Sequence, residues 1–215
     1  MDRSRIAIVI PALNESATIA ALVVAAKKYG VPIVVDDGST DATAELAKQS
    51  GAVVISHVVN RGYDGALSSG FLKAVEIGAD MVITLDADGQ HNPLLIQKFI
   101  DAIDTGADVV VGVRSRKQRI AEHIFALYSS LRFGIKDPLC GMKAYRTTVY
   151  SMLGHFDSCE SVGTELMIFS AKHKFNIVQV PFDVRERNGM SRFGQIFAGN
   201  YKIIRAMVMT AVLVK

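Results

Sequence analysis

Short apolar runs return along the first half of the chain, and stretches with helical period fill the gaps between them. The runs are Ile6–Ile10, Ile33–Val35, Val53–Val58, Met81–Leu85 and Val109–Val113. They lack the apolar/polar alternation of a half-solvated strand, so each reads as buried on both faces. The gaps hold Ile19, Leu22, Val23 and Ala26, then Ala42 to Ala47, then Leu67, Phe71, Ala74 and Val75, then Leu95, Phe99, Ile100 and Ile103. Such alternation predicts an α/β fold, a Rossmann-like doubly wound, mainly parallel sheet with helices on both sides. Right-handed crossovers then bring the loops after the strands to one carboxyl edge, where open sheets bind ligands.

After residue 113 the rhythm changes. A helix is expected from Lys117 to Phe133, a loop over Gly134–Gly141 and a strand over Met142–Tyr145. A helix over Gly163–His173, a strand over Ile177–Pro181 and a helical tail over Phe193–Val214 follow. No repeat, low-complexity tract or linker interrupts the chain. It therefore reads as a single domain, 1–215, with a nucleotide-binding half (1–113) and a specialised half (114–215). Half of the residues are apolar, enough for a core without disulfides or metals. Cys140 and Cys159 form no CxxC pair, which excludes a disulfide scaffold or zinc ribbon and points to a reducing compartment. The run at Ile6–Ile10 is too short for a signal-peptide core. A soluble or peripheral cytoplasmic protein is expected.

Charge is unevenly placed. The net +3 combines +5 over residues 114–136 and +5 over residues 185–215 with −7 elsewhere. The second half is thus suited to an anionic partner: phosphates, a membrane surface or nucleic acid. Two solvated helix faces would give the same count.

Carboxylates at strand ends carry the sharpest chemical signal. In extended chain, positions two apart point the same way, so Asp86, Asp88 and Gln90 present three oxygen-bearing side chains along one line. A hard divalent cation, Mg²⁺ or Mn²⁺, relieves the repulsion of such carboxylates and shares them with substrate phosphates. The alternative is a turn that caps a helix at Pro93. Asp36 and Asp37 end a second strand, where a carboxylate can accept hydrogen bonds from a base or ribose; Gly38 to Asp41 reads as a tight turn and helix cap. After the first strand, Asn14 is placed to cap the next helix and Glu15 to favour its dipole; a nucleotide-contacting role is the rival. The absence of GxGxxG counts against a dinucleotide-binding dehydrogenase.

Four blocks stand in order at consecutive strand ends: Ile8 to Glu15, Val34 to Asp41, Asn60-Arg61-Gly62 with Gly65-Ala66 and Gly70, and Asp86 to His91. Val111 to Arg116, Asp137 to Tyr145, and Val180-Pro181 with Arg187-Asn188-Gly189-Met190-Ser191-Arg192 continue the pattern. The set resembles the inverting family 2 glycosyltransferases of the GT-A fold, and its later blocks resemble the dolichyl/polyprenyl-phosphate hexose transferase branch.

The resemblance implies that Pro11, Ala12, Asn14, Glu15 and Asp37, with Asp86, line a nucleotide-sugar pocket. It implies that Asp86, Asp88 and Gln90 hold Mg²⁺ or Mn²⁺ and the donor diphosphate, and that Arg114, Arg187, Ser191 and Arg192 face phosphates. Asp88, Arg114 and Arg187 would carry the chemistry. Arginine suits that task through its bidentate fork. The expected reaction moves a hexose from GDP-mannose or UDP-glucose to a polyprenyl or dolichyl phosphate at a membrane surface, with no nucleic acid involved. A saccharide hydroxyl acceptor is the runner-up and would need a general base, for which Glu165 is the candidate. A sugar-1-phosphate nucleotidyltransferase would want a Gly-rich, Arg-containing loop in place of Pro11–Glu15. The apolar tail Ala206–Val214 is short of the ~20 residues that span a bilayer. It is suited to lie in the membrane interface, or to pack on the core or on a second copy as a homo-oligomer contact.

Overall fold

The computed structural model describes residues 2–89, 91–184 and 196–213. In chain order the first half forms β1 (Ile6–Ala12), α1 (Ile19–Ala26), β2 (Val31–Asp36), α2 (Thr43–Gln49), β3 (Val53–Ser56), α3 (Gly62–Glu76), β4 (Met81–Thr84) and α4 (Leu95–Asp104). The second half adds β5 (Val109–Arg114), α5 (Ile120–Phe133), β6 (Lys143–Arg146), α6 (Thr147–Leu153), α7 (Glu165–Lys172), β7 (Ile177–Phe182) and α8 (Ile196–Leu213).

Among the described residues, seven strands join one sheet in the order β3-β2-β1-β4-β6-β5-β7. Its pairings are parallel except at β6, which runs antiparallel between β4 and β5. The chain moves outward from β1 to β2 and β3, then returns to β4 on the other side of β1. This reversal opens a crevice beyond the carboxyl ends of β1 and β4, the place where doubly wound sheets take ligands.

Period two sorts each central strand onto two cores. Ala7 and Val9 of β1 join Val82, Val109 and Val111 on one face, while Ile6, Ile8 and Ile10 join Met81, Ile83 and Val110 on the other. The first face is covered by α3 and α5–α8, with Phe71 at its centre against Tyr145, Tyr150 and Phe156, whose ring centroids lie 4.6–5.8 Å away. The second is covered by α1, α2 and α4 through Leu22, Ala47, Phe99 and Ile103. Each fully buried Ile or Phe contributes roughly 1.5–3 kcal/mol, so this two-sided burial makes the sheet a firm floor for the loops above it. Gly70 of α3 sits directly on Val9, where a Cβ would collide with the valine side chain.

Two expectations need correction. β3 ends at Ser56 rather than at residue 58, and Val58 is fully exposed. β3 is an edge strand with one neighbour, so Val53, Val54 and Ile55 are half-buried rather than buried on both faces, and Ser56 is exposed. The tail helix is seen as α8; residues 193–195 of the expected span lie outside the described residues.

Candidate active site

A cavity of about 510 Å³ opens at the carboxyl edge, above the reversal beside β1. Pro11, Ala12 and Glu15 come to its wall from the end of β1, Asp37 from β2, and Asp86 and Asp88 from β4. Arg114, Arg119 and Glu122 enter from β5 and α5, and Lys202 and Ile203 from α8. The two halves of the chain thus face each other across one space.

Asp37 is buried and fixed by two donors. Its Oδ1 accepts the Arg61 backbone N–H at 2.8 Å and lies 2.6 Å from Nδ1 of His57, whose Nε2 lies 2.9 Å from Ser69 Oγ. Its backbone N–H donates to Ala12 O, which locks the end of β2 to β1. His57 carries no sequence signal beyond that of a lone imidazole just past a strand.

Asn14 departs from its expected place. It is exposed, with a positive φ of 49°, and is absent from the cavity wall. Its N–H donates to Ser39 Oγ and its Oδ1 accepts the Thr40 N–H, both at 2.8 Å, so it stitches the β1 loop to the β2 turn. It does not cap α1, which begins after Thr18. Glu15 precedes that helix too. It is buried at the wall, with its N–H on Thr43 Oγ1 and its Oε2 accepting from Thr18 Oγ1. Asp41 stands one residue before the N-cap of α2, Ala42, and ties down the turn there: burial opposes its charge, yet hydrogen bonds from Thr43 and Ser16 outweigh this and hold its carboxyl at about 2.

Asp86 and Asp88 do not cap a helix. Leu94 occupies the cap of α4, and its N–H is taken by Asn92 Oδ1. Asp86 accepts from Tyr63 OH at 3.2 Å. On its other side the backbone presses in at Gly141, where a Cβ would collide with the carboxylate. His91 is buried with Nδ1 lacking a hydrogen-bond partner, 3.8 Å from Asp86 Oδ2. Two carboxylates at one strand end, beside a buried imidazole nitrogen that lacks a hydrogen-bond partner, are a donor set that fits a hard divalent cation. Gln90, expected to complete the set, lies outside the described residues, as do Arg187, Ser191 and Arg192.

Arg114 reaches the cavity but is not an unpaired phosphate ligand. Its Nε and Nη2 donate to Asp137 at 2.8 and 2.9 Å, and Nη2 also donates to Glu122 at 3.0 Å. Burial works against its charge, but Asp137 and Glu122 overcome this and hold the guanidinium protonated. Two carboxylates therefore offset it within the protein.

Glu165 is not a base facing the cavity either. It is buried at the start of α7 and absent from the wall, and it accepts from Ser158 and His155. Burial would raise its pKa, yet these hydrogen bonds lower it. Asp157, Cys159 and Glu165 bring ligand atoms within 4.8 Å of one another. Their polar atoms are already engaged, Asp157 accepting the backbone N–H groups of Cys159, Glu160 and Ser161. Lys143, the polar residue in an otherwise strand-like run, is fully buried with Nζ on Gly163 O at 2.8 Å; burial pushes its pKa down to about 8.

Sheet order, reversal point and cavity fit the expected GT-A fold. The chain belongs to the family described as Glycosyl transferase family 2, whose model matches residues 7–159. Among its relatives, a UDP-N-acetylglucosamine–dolichyl-phosphate N-acetylglucosaminyltransferase of Methanococcus voltae is 28% identical over 241 residues, with 94% of each chain covered. A dolichyl-phosphate hexose transferase of Haloferax volcanii is 31% identical over 188 residues, covering 82% of this chain and 79% of the relative. The crystal structure of glucosyl-3-phosphoglycerate synthase from Mycobacterium tuberculosis, in complex with Mn²⁺ and UDP-glucose, superposes with a TM-score of 0.77 at 26% identity, covering 96% of this chain and 79% of that one.

Proposed function

We infer that this glycosyltransferase moves a hexose, with inversion, from GDP-mannose or UDP-glucose to a polyprenyl or dolichyl phosphate. The observation that carries the reading is the two-sided cavity. Three buried or half-buried carboxylates, Asp37, Asp86 and Asp88, stand on one wall, and Arg119 and Lys202 stand on the other. The names of the archaeal relatives support the lipid phosphate as acceptor.

Residues 1–113 would take the donor and 114–215 the acceptor, within a single domain held peripherally at the cytoplasmic face of a membrane. Asp37, kept in one orientation by His57 and the Arg61 N–H, accepts a hydrogen bond from the base or ribose. Pro11, Ala12 and Glu15 shape the same pocket. Asp86, Asp88 and Gln90 would hold Mg²⁺ or Mn²⁺. A bound divalent cation supplies stabilisation of the charge that develops on a departing nucleoside diphosphate. Arg187, Ser191 and Arg192 would hold phosphate oxygens. Arg114 acts by position, tying Asp137 and Glu122 to the wall. A lipid phosphate already carries an anionic oxygen near neutral pH, so it needs no strong base, and the withdrawal of Glu165 from the cavity favours it over a hydroxyl acceptor.

Calorimetry of nucleoside diphosphate binding with Mn²⁺ tests the donor side. Asp88→Ala should bind at least about tenfold more weakly, a loss of ~1.4 kcal/mol, while melting like the parent. Equal affinity in the variant would remove this site from the account.

A further inference from the structure

We propose that α5 and α8 together form a membrane-docking face that seats the cavity mouth on a bilayer rich in anionic lipid. The proposal extends the lipid-phosphate reading and rests on it for the identity of the acceptor alone. On α5, Ile120, Ile124, Leu127 and Leu131 follow helical spacing and point outward, with Leu127 63% and Leu131 81% exposed. On α8, Tyr201, Val208 and Val212 do the same, Val212 being 72% exposed. The opposite faces of both helices pack on one core, α5 through Ala121 and Phe125 and α8 through Ile203 and Ala206. The helices also touch each other, where the Ala121 N–H donates to Asn200 Oδ1. Two helices lying side by side on one core turn their outer stripes the same way, so the apolar side chains form one exposed patch. Patches of this kind mark interaction surfaces.

Charge selects the occupant. The only acid in α5 is Glu122, which is buried and paired with Arg114, and α8 has none. Arg116, Arg132, Lys136 and Lys202 are exposed around the two helices. A second copy docked face to face would set like charges against each other. A bilayer with anionic headgroups accepts both the apolar stripe and its basic rim, as interfacial amphipathic helices do. No helix among the described residues is long and apolar enough to cross a membrane. Arg119 and Glu122 of the α5 start and Lys202 and Ile203 of α8 also line the cavity. The patch therefore borders the cavity mouth, and a phosphate presented at headgroup level meets the donor without the lipid leaving the membrane.

Flotation with vesicles tests this. The whole chain should float with phosphatidylcholine vesicles containing about a third phosphatidylglycerol, and far less with phosphatidylcholine alone or in high salt. Leu127→Glu with Leu131→Glu, and separately Val208→Glu with Val212→Glu, should weaken that binding by at least about tenfold. Val24→Glu, on the exposed side of α1 across the sheet, should bind like the parent. All three proteins should keep the parental melting temperature, and either helix's pair suffices if the other fails to fold. The proposal is overturned if the parent ignores anionic vesicles or if both pairs bind as the parent does. It is also overturned if sedimentation shows a dimer, dissolved by Leu127→Glu, in place of vesicle binding. Nucleotide-sugar binding with Mn²⁺, measured without vesicles, reports separately on the catalytic reading.

Discussion

Replacing His57 by Ala isolates what holds the donor-side carboxylate in place. Asp37 Oδ1 would keep the Arg61 N–H at 2.8 Å but lose the imidazole at 2.6 Å, in a site where both side chains are buried. A hydrogen bond to a charged group contributes ~1.5–3 kcal/mol, and ~1.4 kcal/mol is tenfold. Because Asp37 stands on the cavity wall, water can replace part of the lost partner, so the lower end applies. The expected result is a donor KM raised about tenfold, with kcat within about twofold of the parent, since binding shared by ground and transition states is what is lost. His57→Asn, which retains an N–H donor, should recover part of the loss. Steady-state kinetics with varied nucleotide sugar, paired with calorimetry of the nucleoside diphosphate, reads both numbers. A fall in kcat at unchanged KM, or an Ala variant that behaves like the parent, would refute the positioning role.

Gly141→Ala places a methyl against the Asp86 carboxylate; Mn²⁺-dependent nucleoside diphosphate binding should fall by about tenfold or more, with little change when metal is omitted. Asp64 Oδ2 accepts the Val162 N–H at 3.0 Å, and burial followed by repulsion from Asp157 raises its carboxyl from 3.8 to about 7. Between those values the folded protein keeps a proton that the unfolded chain releases. This group's contribution to stability is therefore full below 3.8 and is lost as pH rises through about 7. Urea midpoints should fall across that window more steeply in the parent than in Asp64→Asn, and equal slopes would contradict the assignment. Glu165→Gln should leave transfer to a lipid phosphate within about twofold of the parent while lowering the melting temperature on the order of 5 °C, because a buried hydrogen-bonded anion is disturbed away from the cavity.

The central sheet is legible from Ile6, Ile33, Met81 and Val109 onward because buried strands between amphipathic helices leave a pattern that tertiary contacts do not override. The direction of β6 is not legible, since Met142–Tyr145 reads as strand whichever way it runs. β3 reads as buried on both faces but is half-buried, because an edge position depends on strand order, which no local run encodes. Asp37, Asp86 and Asp88 stand out because carboxylates ending apolar strands are costly without a purpose. Their supports do not stand out: His57 reaches Asp37 only through the pairing of β2 with β3, and Gly141 meets Asp86 only once β6 lies beside β4. The pairing of Arg114 with Asp137 is not legible, because the partner is 23 residues away and is brought in by the fold. Asn14 suited a cap on spacing alone; its positive φ turns it to Ser39 and Thr40 instead.

Transfer of labelled hexose into an organic-extractable lipid tests the central claim most directly. The purified chain, with Mn²⁺, polyprenyl phosphate and each of GDP-mannose and UDP-glucose, should make a labelled lipid with one of the two. Asp88→Ala and metal chelation should each reduce the product by at least about a hundredfold, corresponding to ~2.7 kcal/mol of lost transition-state stabilisation. Label found only in a soluble sugar or phosphorylated acceptor, or lipid labelling that survives both the variant and the chelator, would contradict the account.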